Sequence, residues 1–391
     1  MKLGNLINPF ILFPFALLFL VVMYNLGWSN LFPELDMRIY VFIGVLCGIF
    51  LFIGVIINKL GVVGYSDLLK GNIEKEKPLL TILFLSILFF MDIAYSGVIP
   101  IFAGDIDQYE SFGMPIVDPL ILSLLIFYSI YWFHSYLSTK YKKFIIYIFF
   151  NIFIIVLMAR RAALVYVFLG FLFIYIQKIK RIKIITLMLV IVLIAGFSSL
   201  FGYLGNVKAG LDDNHTTTYM GASEKFFDSG VANVHYMTYL YVCSPIANFQ
   251  LTINKKDYKD SFGALIMQNY VPDFIANKVT NLFDIKWESR EIEMVMGVLN
   301  VGTYFIGGYV TYGWLGVLCS SIFMILYAFF IYFLYPKRSP YHATVNAFLC
   351  AIFLMALFSN IFRLSIICFV FIIPLFLNIL NRIKIPTIKI K

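Results

Sequence analysis

Charge is what this sequence has least of. Only 13% of its 391 residues are Asp, Glu, Lys or Arg, about half the share found in soluble domains, which excludes a globular protein with a water-facing surface. Its cysteines, Cys47, Cys243, Cys319, Cys350 and Cys368, are scattered and four fall inside apolar runs, so no disulfide framework or metal-ligand spacing is spelled out. No Gly-x-Ser-x-Gly, phosphate-binding loop or His-Glu-x-x-His occurs, and hydrolase and ATP-driven chemistries lose their support. No internal repeat and no inverted repeat is visible, which counts against a secondary transporter.

What the chain does have is long hydrophobic runs. Hydrophobic residues make up 61% of it, and runs of about 17–25 residues recur, long enough to cross a hydrocarbon core of roughly 30 Å. Runs such as 144–158 are apolar on every face, which rejects a β-barrel with its alternating polarity. The expectation is an all-α, polytopic bundle with about ten spans near 9–27, 39–57, 79–97, 118–137, 144–158, 162–177, 184–204, 308–335, 343–358 and 364–381. The first run has a basic start but no small-residue cleavage site, and reads as a retained helix.

The net charge of +9 follows topology rather than a nucleic-acid footprint. With the N-terminus inside, 18 of the 30 Lys and Arg fall in cytoplasmic segments and only Arg38, Arg160, Arg161 and Arg363 in short outer loops. That bias fixes orientation. Both termini are expected in the cytoplasm, with one long outer segment at 205–307 between a seven-helix part, 1–204, and a three-helix part, 308–391, of one integrated domain. A connection of that length carries structure or function of its own. Helices lying on the membrane face are expected there, and 231–251 reads as re-entrant or interfacial.

Arg160 and Arg161 sit between two spans, on the side the positive-inside bias disfavours. Either they snorkel and bond the carbonyls freed at a tight helical turn, or they bind an anion, since a guanidinium fork matches phosphate oxygens. Arg363, between the last two spans, poses the same choice. Asp92, near the outer end of its span, calls for a partner, and an arginine from a neighbouring helix is the natural candidate. Asp105 and Asp107 form an Asp-x-Asp that reads more readily as a solvated turn than as a metal ligand pair. His215 and His235 are the outward histidines, and a His is the usual general base. Trp28, Tyr109, Tyr236, Tyr239, Tyr241 and Trp287 could stack on sugar rings, although aromatic belts anchor most membrane helices.

Four segments together resemble the bacterial lipid-linked oligosaccharide repeat-unit polymerases, the O-antigen (Wzy-type) polymerases. They are Gly97-Val-Ile-Pro100 with Tyr109-Glu-Ser-Phe-Gly-Met-Pro115; the small residue and Arg161 at a helix start; Tyr239-Leu-Tyr-Val-Cys-Ser-Pro-Ile-Ala-Asn-Phe249; and Asn300-Val-Gly-Thr-Tyr304 with Tyr312-Gly-Trp-Leu-Gly316. Thr311 and Tyr312 stand where family members often carry an acidic residue. The resemblance runs from about residue 90 onward.

It implies a GT-C-like fold in the bacterial inner membrane and a reaction at the periplasmic face. There, undecaprenyl-diphosphate-linked oligosaccharide donor and acceptor are joined by glycosyl transfer, without a cofactor or metal. Membrane lipid is the surrounding partner, a chain-length regulator protein is compatible with the resemblance, and nucleic acid is not implied. Charge developing on the leaving diphosphate needs cations, for which Arg161, Arg290 and Arg363 are the candidates, with Arg160 as an extra. A weak base near the acceptor hydroxyl would be His235 or Glu293. Tyr109, Tyr239, Asn300, Thr303 and Tyr304 would position sugar or loop. The main rival is a lipid-linked oligosaccharide flippase, which needs cations lining a central cavity, whereas here the arginines collect at outer helix ends.

Overall fold

The structure, a computed structural model, describes residues 6–66, 78–103, 112–179, 217–255, 258, 261–285 and 292–382. Its α-helices in chain order are α1 (Pro9–Tyr24), α2 (Met37–Lys59), α3 (Pro78–Ser96), α4 (Val117–Thr139), α5 (Lys143–Leu157), α6 (Arg161–Lys178), α7 (Glu224–Asp228), α8 (Tyr236–Lys255), α9 (Phe262–Asn269), α10 (Asp273–Leu282), α11 (Tyr304–Leu334), α12 (His342–Met355) and α13 (Ser365–Arg382). Among the described residues the only β-type pairing is an isolated bridge between Ser29 and Ala222.

The all-helical, membrane-spanning expectation stands in its coarse form. Helices α2, α3, α4, α6 and α11 are long and apolar enough to cross a membrane, while α1, α5, α12 and α13 as far as Ile379 are apolar but shorter. At 15 residues α5 is about 22 Å long, short of the hydrocarbon thickness. The span expected over 184–204 lies outside the described residues.

By chain contacts the protein forms two compact units, one of Met1–Gly61, Ile179–Ala328 and Ile352–Phe362, the other of Val62–Lys178, Phe329–Ala351 and Arg363–Lys391. Their borders fall elsewhere than the divisions at 204 and 307 expected from the hydropathy pattern.

In the first unit α1 starts where local chemistry dictates. Pro9 occupies the first turn and the Asn8 side chain accepts the Phe10 N–H at 3.0 Å, a standard cap. The Asn8 amide then donates to Gly54 O and Asn58 Oδ1 of α2, each at 3.1 Å, so the cap also sets the pairing of α1 with α2. Phe10 and Phe13 each lie 5.4 Å from Phe50 across that interface.

Helix α8 crosses the ends of α1, α2 and α11 rather than running with them. Near its start the Tyr239 phenol oxygen accepts the Trp28 N–H at 3.2 Å. Near its far end Gln250 Oε1 accepts the Asp36 N–H at 2.6 Å, and Phe249 lies 6.3 Å from Trp314. Its side chains are buried on nearly every face. The re-entrant or interfacial segment expected at 231–251 is therefore a helix enclosed by protein, and its apolar character serves a protein core rather than lipid.

The expected single span at 308–335 is corrected by α11. It is broken at Tyr312 (φ −147°, ψ 21°) and Gly313 (φ 61°, ψ −149°). A Cβ on Gly316 would stand 1.9 Å from Gly308 O, whereas residues eight apart in one helix are separated by about 12 Å. The arm 304–311 thus folds back against the start of the arm 314–334. The second arm, about 31 Å long, is the one that matches the bilayer.

In the second unit α4 is the hub, packed by α3, α5, α6 and α13. The buried Asn151 amide of α5 donates to Ser129 Oγ of α4 at 3.2 Å. Because α4 and α6 flank the short α5, they run parallel, and their N-termini share one end of this unit.

Candidate functional site

That shared end holds Asp118, Arg160 and Arg161. Helix α5 closes with Ala159 in the left-handed region (φ 52°). The Ala159 N–H bonds Val156 O at 2.9 Å and the Arg160 N–H bonds Ile155 O at 3.3 Å, the paired pattern of a Schellman stop. The carbonyls freed at the turn are thus met by backbone, and the Arg160 guanidinium is left for another task. Its Nη2 reaches Asp118 Oδ1 and Oδ2 at 3.4 and 3.3 Å and Phe112 O at 3.5 Å.

This pair ties the turn before α6 to the first turn of α4. The side chains are only 28% and 16% exposed, so removing one partner strands the other's charge in a poorly hydrated place. Arg160→Ala is expected to cost about 2–3 kcal/mol and the double variant with Asp118→Ala less than the sum of the singles, read from thermal unfolding in detergent. Additive losses would mean the two groups are uncoupled.

Asp92 does not receive the arginine that its position called for. Its Oδ1 accepts the Met114 N–H at 3.0 Å, and Ser96 Oγ accepts the Gly113 N–H at 2.8 Å. Asp92 is fully buried and its Oδ2 makes no hydrogen bond among the described residues. The physical reason is geometric: the Phe112-Gly-Met segment lies over the end of α3 and offers backbone N–H groups first, while Asp118 stands at the start of α4 opposite the turn. Ser96 and Asp118 were missed by sequence reasoning. An acidic residue in the first turn of an apolar helix, at the same expected end as Arg160, was the signal for Asp118.

Helix α13 joins the same end. Ser123 Oγ donates to Ile366 O at 2.9 Å, which sets the first turn of α13 beside the second turn of α4. Arg363 ends the short 3-10 turn Ile361–Arg363 just before α13 begins. Its Nε is buried and has no hydrogen-bond partner among the described residues. Arg161, the first residue of α6, is exposed and enters no ion pair among the described residues. Arg161 and Arg363 therefore stand at the N-termini of two helices that both pack on α4. The helix dipoles there add to the guanidinium charges, while Arg160 is already neutralised by Asp118. Arg290, Tyr109, Asp105, Asp107, His215 and Trp287 lie outside the described residues.

The candidates in the first unit divide along α8. His235 ends a 3-10 turn immediately before the helix, whereas Glu293 pairs with Lys255 at its last residue. Twenty residues of helix separate them by about 30 Å, so the two cannot serve one acceptor hydroxyl. Asn248, buried in α8, holds the segment that follows Glu293: its amide donates to Leu299 O at 2.8 Å and Val301 O at 2.7 Å, and its Oδ1 accepts the Val295 N–H at 2.8 Å. That leaves Asn300 exposed. Thr303 and Tyr304 are buried, and Thr303 Oγ1 makes no hydrogen bond among the described residues.

Tyr239 sits among Trp28, Phe32 and Tyr236, at ring distances of 5.2, 5.9 and 6.1 Å. Burial pushes its phenol well above the ordinary range. It is a packing residue that anchors α8 to the α1–α2 connection, not an open sugar platform. No protein-family model, curated protein or solved structure matches the chain.

Proposed function

We propose that this protein is a membrane glycosyltransferase. It joins undecaprenyl-diphosphate-linked oligosaccharide repeat units into a surface polysaccharide at the outer face of the bacterial inner membrane. The observation that carries this reading is the pair Arg161 and Arg363, cations without ion-pair partners among the described residues, at the N-termini of two helices that pack on α4.

A transferase of this kind breaks the bond between the donor sugar and its diphosphate, and the leaving group takes the electron pair. Fixed cations and helix N-termini aimed at that charge act where it grows, which is the use of binding energy that raises rate rather than affinity alone. The diphosphate leaves already ionised, so no acid needs to protonate it. The acceptor hydroxyl loses its proton to a weak base, and His235 and Glu293 are alternatives rather than a pair, given their separation along α8.

The test uses the full-length protein purified in detergent, with synthetic undecaprenyl-diphosphate oligosaccharide and EDTA. A ladder of lengthened products is expected. No elongation by protein that is monodisperse and thermally stable would refute the reading, and elongation only when divalent metal is restored would transfer the leaving-group role to a metal ion.

A further inference from the structure

The end of the second unit opposite Arg161 holds cations and, among the described residues, no carboxylate. Lys140, Lys142 and Lys143 lie in and beside the tight turn that joins α4 to α5, and all three are exposed. Lys178, the last residue of α6, donates to Leu137 O in the last turn of α4 and stands 5.8 Å over the ring of Tyr65. Tyr65 OH is 2.8 Å from Ser138 Oγ, and a Cβ on the neighbouring Gly64 would stand 3.5 Å from Lys337 Nζ, which brings the link between α11 and α12 to the same place. Lys140, Lys142, Lys143, Lys337 and Arg338 enter no ion pair among the described residues. The carboxylates of this unit's described residues, Asp92 and Asp118, are both at the other end. The segment 67–77 lies outside the described residues and carries three acids and three lysines, so it leaves the charge balance unchanged.

Helix α5 joins this charge to an apolar surface. It packs on α4 and α6 and buries Phe144, Ile148, Asn151 and Ile155. On its other side Ile146, Phe149 and Phe153 are between 60% and 68% exposed, at the spacing of a single helical stripe. Lys142 stands one turn before Ile146 on that stripe. Beside it the exposed Tyr141 is the kind of amphipathic ring that sits at a membrane surface. Because α5, about 22 Å long, is shorter than a hydrocarbon core of roughly 30 Å, the mismatch is met by thinning of the bilayer and by flanking lysines that reach to headgroup level.

A partner for this surface has to offer an anion at the turn and hydrocarbon beneath it. A free anion or an acidic protein segment supplies only the first, and a zwitterionic lipid has no net charge to answer three unpaired lysines. We propose that Lys140, Lys142 and Lys143 hold the headgroup of an anionic phospholipid from the leaflet at this end of the unit, with an acyl chain along Ile146, Phe149 and Phe153. Basic clusters next to a membrane helix draw anionic headgroups in this way, and the attraction fades within a Debye length. The lipid is independent of the reaction proposed above, whose cations lie at the other end.

The test titrates the full-length protein, delipidated in a neutral detergent, with dioleoyl phosphatidylglycerol or dioleoyl phosphatidylcholine, and reads lipid binding by native mass spectrometry. Phosphatidylglycerol is expected to bind about tenfold more tightly. The triple variant Lys140→Gln, Lys142→Gln, Lys143→Gln is expected to lose most of that preference, and the double variant Lys337→Gln, Arg338→Gln to keep most of it. Soluble glycerol phosphate in large excess is expected to leave the lipid bound. Equal binding of the two lipids by the unsubstituted protein would overturn the proposal without recourse to any variant. Equal losses in the two variants would overturn it in favour of diffuse attraction to the whole end of the unit, and displacement by glycerol phosphate in favour of a site for free phosphate.

Discussion

Arg363→Ala is expected to slow repeat-unit joining by about 10²–10³-fold without lowering the melting temperature. The two halves of that expectation have one origin. The Arg363 Nε is buried and bonded to nothing among the described residues, so among them its removal strands no partner. A group held in this way contributes when an anion arrives, and a leaving diphosphate is the anion the proposed reaction supplies. Arg363→Lys keeps the charge but loses the planar fork, so a partial rescue of rate is expected. Arg161→Ala, at an exposed position, is expected to lose less, about 10-fold, because water screens the charge. The measurement is the initial rate of elongation at fixed donor concentration, with thermal unfolding recorded on the same preparations. Arg363→Ala at the wild-type rate would sink the clamp. A rate lost together with stability would place Arg363 with Arg160, whose ion pair to Asp118 holds the turn before α6 in place.

The helices were legible because their signals are local. The expected spans 79–97 and 118–137 lie within two residues of α3 and α4, since apolar length and the flanking polar residues mark both ends. What surrounds a helix is not local. The stretch 231–251 has the composition of something that meets lipid, yet α8 is enclosed by protein, and no periodicity distinguishes the two when every face is covered. The partner of Arg160 lies 42 residues away, and the sequence pointed only to Asp92. Only the backbone N–H of Met114, placed over the end of α3, removes Asp92 from the choice. The candidate bases show the same limit, because nothing in the spacing of His235 and Glu293 says that α8 holds them at opposite ends. Gly-x-x-Gly at Gly313 and Gly316 was visible as a pattern, but its purpose depends on Gly308, which the arm folds back to meet.

Gly316→Ala is the substitution expected to damage the fold most. The added Cβ would sit 1.9 Å from Gly308 O and 2.7 Å from Gly308 C, and both are backbone atoms with no rotamer to change. The arm 304–311 has to move by more than an ångström, and with it go Tyr304, whose N–H bonds Ala356 O at 2.9 Å, and the contact of Tyr270 OH with Gly316 O at 3.4 Å. Overpacking typically costs 1–3 kcal/mol when side chains can yield, so a backbone-to-backbone clash is expected to cost about 3 kcal/mol or more, a large part of an ordinary stability. In thermal unfolding of a 391-residue chain this corresponds to a fall of roughly 4 °C. Gly44→Ala in α2 is the matched control. A Cβ there meets nothing within 4 Å, and alanine is the better helix former, so its melting temperature is expected to stay or rise slightly. Gly308→Ala presses on the same contact from the other side, its Cβ 2.6 Å from Gly316 O, so the double variant is expected to lose less than the two singles together. A Gly316→Ala protein as stable as Gly44→Ala would mean that the two arms of α11 do not pack. The short arm would then no longer fix Thr303 and Tyr304.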